Sequence, residues 1–129
     1  METLHELMAE TCRILAHPAR IRILHLLASG PCEVGTIALA LGVSQPNASQ
    51  HLAVLRGAGL VEAGRDGREV FYRLSDPGVL DACDAMAAVM RRRLARIADL
   101  SARLAGDAEP RGGGPADGRG PGAPLPRSA

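Results

Sequence analysis

Apolar residues recur three and four positions apart through most of the first hundred residues, and Gly or Pro closes most of the runs. Leu4, Leu7, Met8, Cys12 and Leu15 predict a first helix over residues 2–16. Pro18 suits the first turn of a second helix, which carries Ile21, Leu24, Leu26 and Leu27 to about Ser29, where Gly30-Pro31 stops it. Val34, Ile37, Ala38 and Leu41 make a short third helix, with Gly42 in the C-cap role. Ser44 is placed to cap a fourth helix that reaches about Gly57, with Ala48, Leu52 and Leu55 as its inward stripe. The period then changes to two. Residues 60–63 and 69–74 alternate as strands around the turn Gly64-Arg65-Asp66-Gly67-Arg68, and Val70, Tyr72 and Leu74 share one face. Asp76-Pro77 reads as N-cap and first-turn proline of a last helix whose stripe is Val79, Cys83, Met86, Met90, Leu94, Ile97 and Leu104.

The expected fold is mainly α with a small β-hairpin, in the order α-α-α-α-β-β-α. A last helix over residues 77–105 would be about 43 Å long at about 1.5 Å per residue. That is more apolar stripe than a domain of this size can cover from its own chain, so a second copy is expected to cover it. From Gly106 onward half the residues are Gly or Pro and no apolar period remains. The expected organisation is a domain over residues 1–105 and a disordered tail over 106–129.

The fourth helix carries the most specific signal. With its stripe turned inward, Pro46, Asn47 and Gln50 point outward, flanked by Gln45, Ser49 and His51. Ordinary solvated helix faces carry Glu, Arg and Lys, yet no Asp, Glu, Lys or Arg occurs from Ser44 to Leu55. Asn and Gln can bond adenine edges with two hydrogen bonds, and Ser can donate or accept. An anionic target explains the missing acids. A helix, a tight turn, a polar helix and a basic hairpin present hydrogen bonds to a DNA groove and guanidinium groups to phosphates. The expected DNA contacts are Ser44, Gln45, Asn47, Ser49, Gln50 and His51 on the helix, with Arg65 and Arg68 on the hairpin. Asp66 and Glu69 weaken the hairpin's positive field, and Asp-Gly is also an ordinary hairpin turn.

Composition adds limits. Of the 129 residues 47 % are hydrophobic and only 2 % aromatic, so the core must be built from aliphatic side chains and Met. The net charge is +1, and all 15 basic residues are Arg. Forked bonds to phosphate favour Arg, but codon bias gives the same usage, and the absence of Lys decides nothing. No apolar run is long enough to span a membrane, and the acidic, amphipathic start does not read as a signal peptide, so a cytoplasmic location is expected. Three widely spaced cysteines do not make a secreted disulfide framework. No Ser-His-Asp order, Cys-x-x-Cys pair or phosphate loop appears, so a hydrolase or redox enzyme is not expected.

Three blocks in order resemble the ArsR/SmtB family of bacterial winged-helix repressors. They are Leu15-Ala16-His17-Pro18-Ala19-Arg20-Ile21-Arg22-Ile23-Leu24, the stretch from Val43 to Val61, and Arg65-Asp66-Gly67-Arg68-Glu69-Val70-Phe71-Tyr72-Arg73-Leu74. The similarity covers about residues 4–92. It implies a winged helix-turn-helix homodimer, joined through the first and last helices, that represses transcription from an inverted-repeat DNA operator until an inducer binds. Leu4, Leu7, Met8, Val79, Met86 and Met90 are then the expected dimer seam. The family's metal sites are not matched: Val54 and Ala58 stand where some members place thiols, and Gly78 follows Asp76 where a zinc-type site needs His.

Thiol-sensing members of the family place one Cys on the second helix and one on the last. Here Cys32 lies two turns later and Cys83 two turns earlier. For antiparallel neighbours these shifts compensate, and a disulfide or persulfide at Cys32 and Cys83 is the expected inducer response. Two alternatives stay open. Cys12 with the other two thiols could make a trigonal site for arsenite or another soft metalloid, or the cysteines could be small core hydrophobes. No other cofactor and no metal site is assigned. From a different class, the chain could be a winged-helix protein-interaction module without DNA binding, against which the acid-free polar face argues.

Overall fold

Thr3 opens the first helix, α1 (Leu4–Ile14), with a reciprocal cap: its hydroxyl accepts from the Glu6 amide and its own amide donates to the Glu6 carboxylate. This hydrogen bonding holds the Glu6 carboxyl below the usual carboxylate range. The computed structural model describes residues 3–112. After α1 come α2 (Pro18–Leu26), with Pro18 in its first turn, and a single 3-10 turn over Leu27–Ser29. His17 is the N-cap residue of α2, but its side chain makes no capping bond.

The helix-turn-helix is α3 (Val34–Leu41) and α4 (Gln45–Gly57). Gly42 sits at φ 72°, a left-handed conformation that favours glycine, and lets the Val43 amide donate back to the Ala38 carbonyl at 3.1 Å. Ser44 then caps α4, its hydroxyl accepting from the Asn47 amide at 3.2 Å. The turn is therefore set by one glycine and one serine two residues apart.

The strands form a three-stranded antiparallel sheet rather than a lone hairpin. Strand β1 (Cys32–Glu33) pairs with β3 (Glu69–Leu74), which pairs with β2 (Val61–Asp66), in the order β1-β3-β2. Cys32 lies opposite Tyr72, and Ala63 opposite Tyr72 on its other side. A two-residue pairing is too short to show a period of two, so the sequence gives no sign of a strand at Cys32. The wing's turn is also tighter than expected. Asp66 pairs with Glu69, leaving only Gly67 and Arg68 as the loop, and Gly67 takes the positive φ of 65° that such a loop needs at its first central residue.

Residues through Ala85 form one compact unit, with a core of Ile23, Leu24, Leu27, Ile37, Ala38, Leu41, Ala48, Leu52, Leu55 and Val61. The stripe predicted for α4 is the one buried, and on α3 Ile37, Ala38 and Leu41 are buried while Val34 is half-buried. On α2 the core residues are Ile23 and Leu24, whereas Ile21 is exposed. No residue of α1 is buried.

The last helix, α5 (Gly78–Gly112), begins in this unit and continues through the second, from Met86 onward. Asp76 serves its start, the carboxylate accepting from the Gly78 amide at 2.8 Å. The helix continues past residue 105, where the sequence reading ended it: Gly106 costs only about 1 kcal/mol relative to Ala, and the costlier Pro110 falls in the last turn, two residues before the end. Most of the expected tail, residues 113–129, lies outside the described residues. Among the described residues no helix is long and apolar enough to cross a membrane.

Candidate nucleic-acid interface

Burial of Ala48, Leu52 and Leu55 orients α4. Ser44, Gln45, Pro46, Asn47, Ser49 and Gln50 are thereby all exposed, and the N-terminal half of the helix offers hydroxyl and amide groups with no charge among them. The Ser44 hydroxyl already accepts from Asn47, so what it still offers is its own proton. Gln45 is less free than the sequence suggests. Its side-chain nitrogen lies 3.2 Å from where a Cβ on Gly35 would sit, so the absence of a side chain on α3 makes room for it.

His51 departs from its expected place on the reading face. Its ring is half-buried, and its Nδ1 accepts from the Arg20 Nε at 3.2 Å. A second Arg20 nitrogen donates to the Ile14 carbonyl at the end of α1, at 2.9 Å. The His17 ring lies 5.9 Å from that of His51 between centroids. Burial, then the charge of Arg20, then His17, hold His51 below the usual histidine range. Nothing in the linear pattern joins positions 14, 20 and 51. Arg22 was missed for the same reason; it donates to the Ala40 carbonyl at 3.2 Å, tying α2 to α3.

On the wing, Arg65 is the fifth residue of β2, opposite Val70, and Arg68 is in the loop itself. Both are exposed, and among the described residues neither makes an ion pair. Arg73 is engaged with Glu62 across the strands at 3.1 Å. Where β1 meets β3 two carboxyls come together: Glu69, by hydrogen bonding and by its charge, holds the Glu33 carboxyl above the usual range.

All three cysteines are free. Cys12 is exposed, and Cys32 and Cys83 are half-buried. Cys32 packs on the core and directs its thiol to the Gly30 carbonyl at 3.7 Å. Burial and then the Asp84 carboxylate push the Cys83 thiol up. Among the described residues of one protomer, no three His, Cys, Asp or Glu side chains are grouped to hold a metal, so Cys12, Cys32 and Cys83 do not form the trigonal set within it.

Among the described residues two apolar helix faces are exposed. Leu4, Leu7 and Met8 are exposed along α1. On α5, Val79 is half-buried, while Met86, Met90, Leu94, Ile97 and Leu104 are exposed, Met86 by 61 %.

The chain is similar to known proteins in sequence and fold. Residues 17–63 match the model of bacterial regulatory proteins of the arsR family. An uncharacterised HTH-type transcriptional regulator of Mycobacterium tuberculosis, Rv0081, is 43 % identical over 116 residues, covering 89 % of this chain and 96 % of that protein. Its crystal structure aligns with a TM-score of 0.59 over 81 % of this chain and 99 % of that one. The homodimeric winged helix-turn-helix DNA-binding domain Mb0332 of Mycobacterium bovis, described as a possible ArsR-family regulator, is 35 % identical with a TM-score of 0.64, over 70 % of this chain and 84 % of that one. A biofilm growth-associated repressor of Agrobacterium fabrum is 39 % identical over 77 residues, 60 % of this chain and 66 % of that protein. By its winged helix-turn-helix fold and these relatives, the chain belongs to the arsR family of DNA-binding transcriptional regulators.

Proposed function

We propose that this regulator is a homodimeric repressor that places α4 in the major groove of each half of an inverted repeat. The observation that carries the reading is the exposed, charge-free face of α4. Gln45, Asn47, Ser49 and Gln50, with Ser44 at the helix start, supply base-edge hydrogen bonds. Arg65 and Arg68 supply phosphate contacts from the wing. Half-sites one helical turn apart match a two-fold dimer. The exposed apolar residues of α1 and α5 support dimerisation, because patches of that kind mark interaction sites in proteins of this size. Footprinting on DNA upstream of the protein's own gene tests the reading. Protection of an inverted repeat by a dimer is the expected result, and equal affinity for unrelated duplexes would refute it.

The inducer reading rests on Cys32 and Cys83, both free and both half-buried. Burial and then Asp84 push the Cys83 thiol up, which makes it the poorer nucleophile at neutral pH and the partner to be attacked rather than the attacker. Linking the strand that precedes α3 to α5 would alter the angle between the two reading helices of a dimer. Mass spectrometry after sulfide, peroxide and arsenite tests it. A Cys32–Cys83 product supports the reading, and modification confined to Cys12 refutes it.

A further inference from the structure

We propose that Arg20 is a positioning residue for DNA recognition, one that fastens α4 to the end of α1 through a neutral His51. The proposal rests on α4 being the DNA-reading helix.

One guanidinium makes both bonds. Its Nε donates to His51 Nδ1 at 3.2 Å and another nitrogen donates to the Ile14 carbonyl at 2.9 Å, all within the unit that ends at Ala85. Ile14 is the last residue of α1, and its carbonyl is among those a helix leaves without an internal partner. His51 stands on α4 one residue after Gln50, beside the buried Leu52. A displacement of α1 is therefore passed to the base-reading side chains through a planar, rigid cation rather than through the loop between helices.

The link works only in one protonation state. Nδ1 must present a lone pair to Arg20, so the neutral ring carries its proton on Nε2, and a second proton would turn an acceptor into a donor facing a guanidinium. The two charged groups that act on the ring, Arg20 and His17, both oppose that proton. Burial first, then Arg20 on α2, then His17 at its start lower the affinity of His51 for it, α3 has no ionisable side chain, and on β2 Glu62 is engaged with Arg73. Operator affinity should therefore hold at neutral pH and fall on acidification, below the ordinary histidine value of about 6.5. A histidine that touched phosphate directly would give the opposite sign.

The test measures operator affinity from pH 5 to 8, about the range in which histidines titrate, for the full-length dimer and for Arg20→Ala, His51→Ala, His51→Asn and the double alanine variant, with melting curves to confirm folding. Arg20→Ala and His51→Ala should each weaken binding about five- to tenfold, as a modest coupling does, and the double variant no further. His51→Asn, whose amide oxygen can replace Nδ1, should recover most of that loss and flatten the pH profile. Additive losses, unchanged binding by Arg20→Ala, or tighter binding at low pH that depends on His51 would overturn the link. NMR titration of the His51 ring reads the link without DNA: Arg20→Ala should raise its midpoint, and an unmoved midpoint refutes the contact. Absence of any sequence-specific complex with the wild type, with that midpoint shift intact, would instead sink the reading of α4.

Discussion

His25 Nε2 lies 3.2 Å from Asp84 Oδ1, joining α2 to the first turns of α5. Burial first, and then this same carboxylate, pushes the neighbouring Cys83 thiol up. His25 is about half exposed and Asp84 about two-thirds, so water screens the pair, and surface pairs of this kind contribute about 0–1 kcal/mol. Asp84→Asn should therefore shift a urea midpoint only slightly. Its larger effect should be on chemistry. Cys83 in the wild type should alkylate slowly, with a rate still rising above the ordinary thiol value of about 8.5, and Asp84→Asn should bring that rise to lower pH. Peptide mass spectrometry after timed labelling gives the profile for each cysteine.

Repression by Cys32→Ser and by Cys83→Ser should each persist in the presence of the oxidant that releases the wild type, while Cys12→Ser should still respond. A reporter under the protein's own promoter checks this. Release that survives in both Cys32→Ser and Cys83→Ser moves the inducer away from thiols.

Glu33 is held above the usual carboxylate range by Glu69, which β3 brings beside it. A carboxyl whose folded value is raised contributes stability below its unfolded value, near 4.3, and that contribution is lost as pH rises through the folded value. Glu69→Gln removes the cause. Its melting temperature relative to wild type should improve as pH is raised from about 4 toward neutrality, and the Glu33 titration should return toward the ordinary range in carboxyl NMR.

Asn47→Ala and Gln50→Ala should lose discrimination between the operator and a mismatched duplex, by roughly 1–3 kcal/mol per lost pair of base contacts. Arg65→Ala and Arg68→Ala should weaken all duplexes alike and flatten the salt dependence. Gly35→Ala should behave as a mild member of the first class, because a Cβ there meets the Gln45 amide at 3.2 Å and turns it away. Binding isotherms at several salt concentrations separate the two classes. Identical behaviour of both would show the assignment of helix and wing to be wrong.

Met86 is 61 % exposed within the protomer, so Met86→Asp should cost the protomer little. In a dimer seam the same carboxylate is buried without a partner, at several kcal/mol. Sedimentation should show a folded monomer that has lost operator affinity. A Met86→Asp protein that remains dimeric places the seam elsewhere.

The local sequence was enough for the helix-turn-helix because its determinants are short-range. Gly42 supplies the left-handed turn, Ser44 reaches an amide three residues on, and the spacing of Ala48, Leu52 and Leu55 alone decides which face of α4 is buried. The uncharged outer face follows from that orientation. Tertiary packing decided the rest. Strand β1 exists because β3 lies alongside two residues that have no period of their own. His51 reads on a helical wheel as a flank residue, yet its ring is held by Arg20, 31 positions away, since the direction of a long cationic side chain depends on which acceptors the fold leaves open. The end of α5 was misplaced for a related reason. Composition after Gly106 opposes a helix, and Pro110 has no amide proton to add, but extending an existing helix is far easier than starting one, so α5 passes Gly106 and runs to Gly112.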